Sequence, residues 1–235
     1  FSQFFKKFFF IIDKFKSKKI FFLEIQNNTR GIKTINETTV FKPSELANKV
    51  YILGNFENPI YFKDYKNDLI KIFKPKNDKL NQQNPLITRL QNSNSVSIHL
   101  RRNRFSDQKG LSDNKLFNNK SKSFTDESIN YINKGINFFN SKIKNPKYFI
   151  WSNDHDNIKE FTKNLITSDF ELITNNDVIN DFFLFSFSKH FIVSPSSFHW
   201  WGAWLNPNQN KICLYPSNLN PSNNFDFWPK EWISI

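Results

Sequence analysis

Residues 191–205 read FIVSPSSFHWWGAWL, an apolar run followed by two serines and a tryptophan-rich segment. The run 191–193 is typical of a buried strand, and Ser196 or Ser197 is suited to cap a helix that begins directly after it. Free N–H groups and the positive end of the helix dipole lie beyond such a strand, so the junction predicts a site for phosphate or another anion. The alternative is an N-capped core helix with an aromatic face, because caps are far commoner than ligand sites.

Gly202 lies in the same segment. The chain has only five glycines, and this one stands among three of the six tryptophans. A glycine surrounded by large rings predicts close packing of the helix rather than a flexible linker. We therefore expect Trp200, Trp201 and Trp204 to fix the helix, whether or not the two serines contact a ligand.

Apolar periodicity predicts alternating strands and helices in the second part of the chain. The predicted strands cover residues 96–100, 148–151, 170–173, 191–193 and 212–215, and the predicted helices cover 126–143, 157–166, 177–189 and the tryptophan-rich segment. Such alternation indicates an α/β fold with a parallel, doubly wound sheet. Ligands of these sheets bind at the carboxyl ends of the strands.

The first part of the chain has a different pattern. Residues 1–15 predict an amphipathic helix that packs on its own domain or, alternatively, brings residues 1–16 into peripheral contact with a membrane. Residues 51–56 suggest a strand and a turn, and the start of a helix follows near Tyr61. Residues 74–85 have the Lys, Asn, Gln and Pro content of a linker. We predict an N-terminal lobe over residues 1–85 and a Rossmann-like domain over 86–235.

Composition narrows the class of partner only weakly. The 235 residues include 33 Lys and Arg against 21 Asp and Glu, a net charge of +12, which favours an acidic partner or simply a solvated surface. Cys213 is the only cysteine, which excludes an intramolecular disulfide and a cysteine-rich zinc site and favours a reducing, cytoplasmic compartment. Methionine is absent even at position 1, so we expect a truncated chain.

Polar residues cluster at the end of the predicted strand 96–100. Alternation along a strand places His99 and Arg101 on one side and Leu100 on the other. Arginine offers a planar fork of donors to phosphate oxygens, and Arg101 and Arg102 in succession could hold a diphosphate. Surface salt bridges for the arginines and a structural role for the histidine are the alternatives.

A second cluster, Ser152-Asn153-Asp154-His155-Asp156, follows the predicted strand 148–151. Two carboxylates around an imidazole could bind a divalent cation. Acidic residues are also routine at the start of a helix, which is the favoured interpretation of Asp156. Asn153 or Asp154, at the strand end itself, could contact a base edge or a ribose hydroxyl.

These motifs resemble those of the alpha-1,2-fucosyltransferase family. The matching segments are His99 to Arg102, Trp151 to Asp154 and residues 181–206, in the same order and spacing, and the resemblance extends over roughly residues 50–235. It implies a B-type glycosyltransferase fold whose Rossmann-like donor domain follows a partial N-terminal lobe. It also implies transfer of L-fucose from GDP-fucose to a galactose-terminated glycan with inversion, without a metal or other cofactor.

The resemblance further implies roles for individual residues. Arg101 would bind the β-phosphate of the donor and stabilise the leaving GDP, and Arg102 would support it or the surrounding loop. His99 and Asp154, with Asn153, would contact the guanine end. Ser196 and Ser197 would bind the diphosphate.

The chain departs from the family in three places. The family usually follows the paired arginines with Gly-Asp-Tyr, where this chain has Asn103, Arg104 and Phe105, and Asn153 stands where the family has an aspartate. The glycine-rich opening Gly-Gly-Leu-Gly-Asn-Gln of the family is absent from the chain. The acceptor hydroxyl needs a base, and we assign Asp107 to that role from four nearby acids, the others being Asp113, Asp126 and Glu127.

Two other functions stay open at this point. A non-catalytic relative that binds a nucleotide sugar would fit Arg104 and the missing glycine segment. A protein that binds nucleic acid or an anionic membrane would fit the net charge, but single-stranded nucleic-acid binders expose their aromatic residues, whereas these have core spacing. Nucleic acid is therefore not an expected partner.

Overall fold

A computed structural model describes residues 58–73, 84–106, 114–174, 177–220 and 225–235. The predicted helix over residues 1–15, the predicted strand over 51–56 and all but the last two positions of the predicted linker lie outside these ranges. The described residues belong to one compact unit, Asn58–Ile235. The proposed division of the chain after residue 85 stays a prediction.

Six parallel strands form one sheet in the part of the chain that is described. They are β1 (Asn94–Leu100), β2 (Pro146–Ser152), β3 (Phe170–Leu172), β4 (His190–Ile192), β5 (Cys213–Tyr215) and β6 (Ile233–Ser234). Their order across the sheet is β3-β2-β1-β4-β5-β6, so the chain winds outward from β1 on one side and from β4 on the other. This doubly wound order confirms the predicted α/β class and is consistent with the expected B-type fold.

Helices connect the strands and cover both faces of the sheet. They are α1 (Lys66–Ile72), α2 (Pro85–Asn92), α3 (Lys115–Lys142), α4 (Ile158–Thr162), α5 (Val178–Phe185) and α6 (Ser197–Leu205), with 3₁₀ turns at Pro59–Tyr61, Lys63–Tyr65 and Phe225–Phe227. Among these described helices, none has the length and apolarity needed to span a membrane.

Helix α3 covers the face of the sheet to which alternate residues of β1 point. Its apolar stripe of Ile129, Ile132, Ile136 and Phe139 shares one buried core with Val96, Ile98 and Leu100 of β1. Gly135 lets the helix approach β4 closely, because a Cβ atom there would lie 2.8 Å from Cδ1 of Ile192. The intervening residues Ser95, Ser97 and His99 therefore belong to the opposite face.

Helices α5 and α6 pack against each other. Gly202 of α6 makes the contact possible, because a Cβ atom there would lie only 1.8 Å from a ring carbon of Phe185. The phenylalanine is fully buried, so its ring has little room to move aside. The predicted close packing at Gly202 is confirmed.

Five buried side chains join α6 to both ends of the described unit, and we call them the aromatic cluster: Phe62, Trp200, Trp204, Phe227 and Trp232. Trp200 stacks on Trp204 with ring centroids 5.9 Å apart, and Phe62 meets both rings edge-on. The indole N–H of Trp200 donates to the carbonyl of Phe227 at 3.0 Å. Two of the tryptophans therefore fix the helix as expected, whereas Trp201 is half-buried beside Phe62.

Three predicted helix boundaries are wrong. The helix predicted over residues 126–143 begins at Lys115, because the side chain of Asn114 accepts a hydrogen bond from the N–H of Leu116 and starts the helix earlier. The helices predicted over 157–166 and 177–189 end at Thr162 and Phe185. Beyond each end the backbone continues in turns with hydrogen bonds three residues apart, which keep part of the helical periodicity.

Two further elements were not predicted. Pro85, assigned to the linker, is the first residue of α2, because the side chain of Asn84 caps the helix and proline suits its first position. Strand β6 has only two residues and pairs with β5 alone. A pair of residues is too short to show a period.

Candidate functional site

The carboxyl ends of β1, β2 and β4 lie side by side, because β1 stands between β2 and β4. The winding direction reverses between β1 and β4, and doubly wound sheets bind ligands beyond the strand ends at such a reversal. The three predicted polar clusters follow these three strands. The structure therefore brings the segments that carry Arg101, Asn153 and Ser196 to one edge of the sheet.

Arg102 is held by residues that follow β2. Its guanidinium forms an ion pair with the carboxylate of Asp154 and lies 3.7 Å from the ring centroid of Phe161. Its backbone N–H donates to Oδ1 of Asn153 at 2.7 Å, and Nδ2 of Asn153 donates to its carbonyl at 3.2 Å. These contacts fix the segment after β1, residues 101–106, which we call the β1 loop.

Asn153 and Asp154 thus have partners inside the protein. Asp154 also accepts hydrogen bonds from the backbone and side chain of Asn157, the residue before α4. Both residues therefore support the β1 loop and the start of the next helix. Their predicted contact with the guanine end stays a prediction.

The β1 loop turns sharply after the two arginines. Arg101 is half-buried directly beyond the end of β1. Asn103 has a φ of 55°, in the left-handed region that asparagine tolerates better than most residues and glycine best. This conformation explains why asparagine stands where the resembling family has glycine. The predicted role of Arg101 on the β-phosphate stays a prediction.

Arg104 reaches from the β1 loop to the segment after β4. Its Nη1 donates to the carbonyl of Pro195 at 2.7 Å. The guanidinium lies 5.2 Å from the ring centroid of Phe124 on α3. No local pattern in the sequence predicts this contact, because its two partners are separated by 91 residues.

Residues 194–197 link β4 to α6, and we call them the 194–197 turn. Ser196 occupies the N-cap position as predicted, but its hydroxyl makes no cap hydrogen bond. Its N–H instead donates to the carbonyl of Ser194 at 2.6 Å. Ser196 and Ser197 are both half-buried, so a ligand can reach them. The first N–H groups of α6 have no acceptor within the helix, as at any helix start.

Two buried histidines, His99 and His199, contact this turn through Ser194. Nδ1 of His199 accepts the N–H of Ser194 at 3.0 Å, so the neutral ring carries its proton on Nε2, which lies 3.4 Å from Oγ of Ser97. Nδ1 of His99 lies 3.4 Å from Oγ of Ser194. The structure shows that His99 belongs to this network, and its predicted contact with the guanine end stays a prediction.

Both histidines are held in the neutral form. Burial, followed by the positive charge of Arg101, lowers the pKa of His99 to about 3. Burial, followed by the proximity of the second imidazole, His99, lowers the pKa of His199 well below its usual value. Neutral imidazoles keep their acceptor nitrogens, so the hydrogen bond that fixes the N–H of Ser194 persists near neutral pH.

His199, Ser194 and Ser97 were missed as site residues in the sequence. The pattern of β1 could have revealed them, because polar side chains alternate there with large apolar ones on a strand that is buried on both faces. A buried polar side chain requires a partner, so Ser97 and His99 imply further polar residues packed against them.

The described residues contain no group of three or more His, Cys, Asp or Glu side chains placed to hold a metal ion. The predicted absence of a metal or other cofactor nevertheless stays a prediction. Asp107, the predicted base, lies outside the described residues.

Comparison with known proteins agrees with the motifs. The chain matches the family described as Glycosyl transferase family 11 over residues 10–235, which confirms the resemblance seen in the sequence. It is also similar to the alpha-1,2-colitosyltransferase of Escherichia coli, with 29% identity over 196 residues that make up 81% of this chain. The aligned region spans 64% of the length of that relative.

Proposed function

We propose that this chain, which belongs to glycosyl transferase family 11, transfers L-fucose from GDP-fucose to the 2-hydroxyl of a terminal galactose on a glycan, with inversion at the anomeric carbon. Its partners would be the nucleotide sugar and the glycan acceptor. The observation that carries the proposal is the convergence of the segments after β1, β2 and β4 at one edge of the sheet.

The charges at this edge suit a sugar nucleotide. Arg102 is paired with Asp154 and supports the loop. We assign the neighbouring Arg101 to the β-phosphate, as the family resemblance implies. The 194–197 turn adds two hydroxyl groups and the start of α6 from the other side. A helix start and an arginine fork are both well suited to a diphosphate.

In the proposed reaction the acceptor oxygen forms a bond to the anomeric carbon of fucose as the bond from that carbon to the β-phosphate oxygen breaks. The electron pair of the breaking bond leaves with GDP, and the proton of the hydroxyl passes to a base, for which Asp107 is our candidate. Negative charge grows on the departing diphosphate, so donors fixed around it lower the barrier.

A second candidate donor follows from the similar Escherichia coli protein, whose name specifies transfer of colitose. Colitose is fucose without its 3-hydroxyl, so one site could distinguish the two sugars by a single hydrogen bond. Transfer assays with both GDP-linked sugars separate these candidates. A site built to bind the hydroxyl should discriminate strongly against the sugar that lacks it.

Thermal unfolding in the presence of nucleotides tests the donor assignment. We expect GDP and GDP-fucose to raise the melting temperature, because a ligand that binds the native state stabilises it, and UDP to have little effect. GDP-mannose serves as a matched control for the sugar. Stabilisation by UDP but not by GDP would overturn the donor assignment. Stabilisation by GDP-fucose without any transfer to galactosides would favour the non-catalytic alternative.

A further inference from the structure

A groove of about 440 Å³, which we call the polar groove, lies beside the carboxyl ends of β5 and β6. Asn218 and Ile235, which follow these two strands, form one side of it. The other side is one face of α3, with four residues at intervals of three or four: Glu127, Asn130, Lys134 and Asn137. The volume is within the range of about 300–1,000 Å³ that is usual for small-ligand sites.

The buried side chain of Tyr131 also lines the polar groove and joins it to the edge of the sheet that carries the candidate site. Its hydroxyl donates to the carbonyl of Leu214 at 2.7 Å and lies 3.1 Å from the carbonyl oxygen of Val193. Val193 directly precedes the 194–197 turn, and β5 pairs with β4. The groove therefore lies next to the turn that we assign to the donor diphosphate.

Hydrogen bonds within the protein hold both sides of the polar groove in place. On the α3 side, Nδ2 of Asn133 donates to the carbonyl of Asn164 at 3.0 Å, and its Oδ1 accepts the N–H of Ile166 at 3.0 Å. On the other side, the N–H of Ser217 donates to the carbonyl of Ile235 at 3.0 Å. A site whose walls are already ordered loses less conformational entropy when a ligand binds.

The side chains that line the polar groove suit an uncharged ligand with many hydroxyl groups. Glu127 and Lys134 carry opposite charges, so together they add no net charge to the groove. Asn130, Asn137 and Asn218 are exposed, and their side chains form no hydrogen bond with any residue that the structure describes. An amide offers two donors and an acceptor, which matches sugar hydroxyls because each hydroxyl both donates and accepts.

We propose that the polar groove binds a sugar unit of the acceptor glycan that lies beyond the terminal galactose. The galactose is then at the donor, and the sugars behind it extend along α3 to the exposed amides. The chain thereby distinguishes a longer glycan from a simple galactoside through contacts away from the reacting hydroxyl. This inference rests on the proposed function, because the glycan is the acceptor of that reaction.

Transfer kinetics with two acceptors of different length test this subsite. In the double variant Asn130→Ala and Asn137→Ala, we expect kcat/KM for the galactose-terminated tetrasaccharide lacto-N-tetraose to fall about tenfold relative to kcat/KM for methyl galactoside, as for loss of two hydrogen bonds. Both positions are exposed on a helix, where alanine is favourable, so the variant should keep its fold. The same ratio in the variant and the wild type would overturn the inference.

Asn92→Ala is the matched control, because Asn92 is an exposed asparagine on α2, beside the amino end of β1 and so at the opposite edge of the sheet. It should keep the wild-type ratio of the two kcat/KM values. An equally lowered ratio in the control and the double variant would show that the effect does not come from the groove, and this result would also overturn the inference.

A binding measurement without the donor separates the inference from the proposed function. In NMR titrations of the full chain with lacto-N-tetraose, we expect a Kd about tenfold higher for the double variant than for the wild type and Asn92→Ala. Equal Kd values for all three proteins would overturn the inference and leave the proposed function standing. If the wild type transfers fucose to neither acceptor but the double variant binds the tetrasaccharide more weakly, the proposed function and the acceptor role are wrong, and the groove remains a sugar-binding site.

Discussion

Arg102, the second of two adjacent arginines after β1, has a defined set of partners. Arg102 is engaged by the carboxylate of Asp154 and the ring of Phe161. A cation balanced by a carboxylate attracts a further anion less strongly. The ion pair gives Arg102 a loop-supporting role. The β-phosphate role of Arg101 stays a proposal that rests on the family resemblance.

Replacing Arg101 by alanine tests that proposal. We expect kcat for transfer to fall by about a hundredfold or more, because a donor aimed at the leaving group acts mainly in the transition state. The melting temperature should change little. Arg89→Ala is the matched control and should keep wild-type turnover. Undiminished transfer in Arg101→Ala would contradict the assigned role.

The junction of β4 and α6 is held in place by several contacts. The imidazole of His199 holds the N–H of Ser194 from within the helix, and Arg104 holds the carbonyl of Pro195 from outside. Gly202 lets the same helix lie against Phe185. The helix start is therefore set by contacts on several sides rather than by a side-chain cap.

Alanine substitutions at the two helical glycines provide a matched pair of stability tests. Gly202→Ala should lower the free energy of unfolding by about 1–3 kcal/mol, because its Cβ would overlap the buried ring of Phe185. In Gly135→Ala the overlap is smaller, because the nearest atoms of Ile192 would lie 2.8–3.0 Å from the new Cβ, and the better helix propensity of alanine offsets about 1 kcal/mol. Urea unfolding measures both. A larger loss for Gly135→Ala than for Gly202→Ala would contradict the packing argument.

Two features organise the unit Asn58–Ile235: the order of strands in the sheet and the aromatic cluster. The order places three polar strand ends side by side, and the cluster connects residues before the predicted linker to α6 and to residues near the end of the chain. Phe62 is buried although it precedes that linker by sequence. The segment that carries it therefore contributes to the stability of the sheet domain.

Replacing Phe62 by alanine should lower the free energy of unfolding by about 3 kcal/mol, the usual cost of removing a buried phenylalanine ring. Tryptophan fluorescence should follow a single transition at lower denaturant concentration, since three of the cluster residues are tryptophans. Ile60→Ala is the control, because Ile60 is 57% exposed. Equal stability of the two variants would show that residues 58–73 do not contribute to the packing of this unit.

Much of the fold could be predicted from local pattern. The predicted strands 96–100 and 148–151 lie within β1 and β2. They could be predicted because strands buried on both faces form continuous apolar runs. Helix ends were predicted less well, as at Asn114 and Thr162, because caps and turns depend on single hydrogen bonds.

By itself the sequence determined the α/β class, the polar strand ends and the family, since these follow from periodicity and from residues that lie close together in the chain. Only the tertiary structure decided which groups meet. Asp154 binds Arg102 across 52 positions and Pro195 binds Arg104 across 91. The order of strands in the sheet brings such partners together. That order minimises the free energy of the whole core, so no short segment of sequence predicts it.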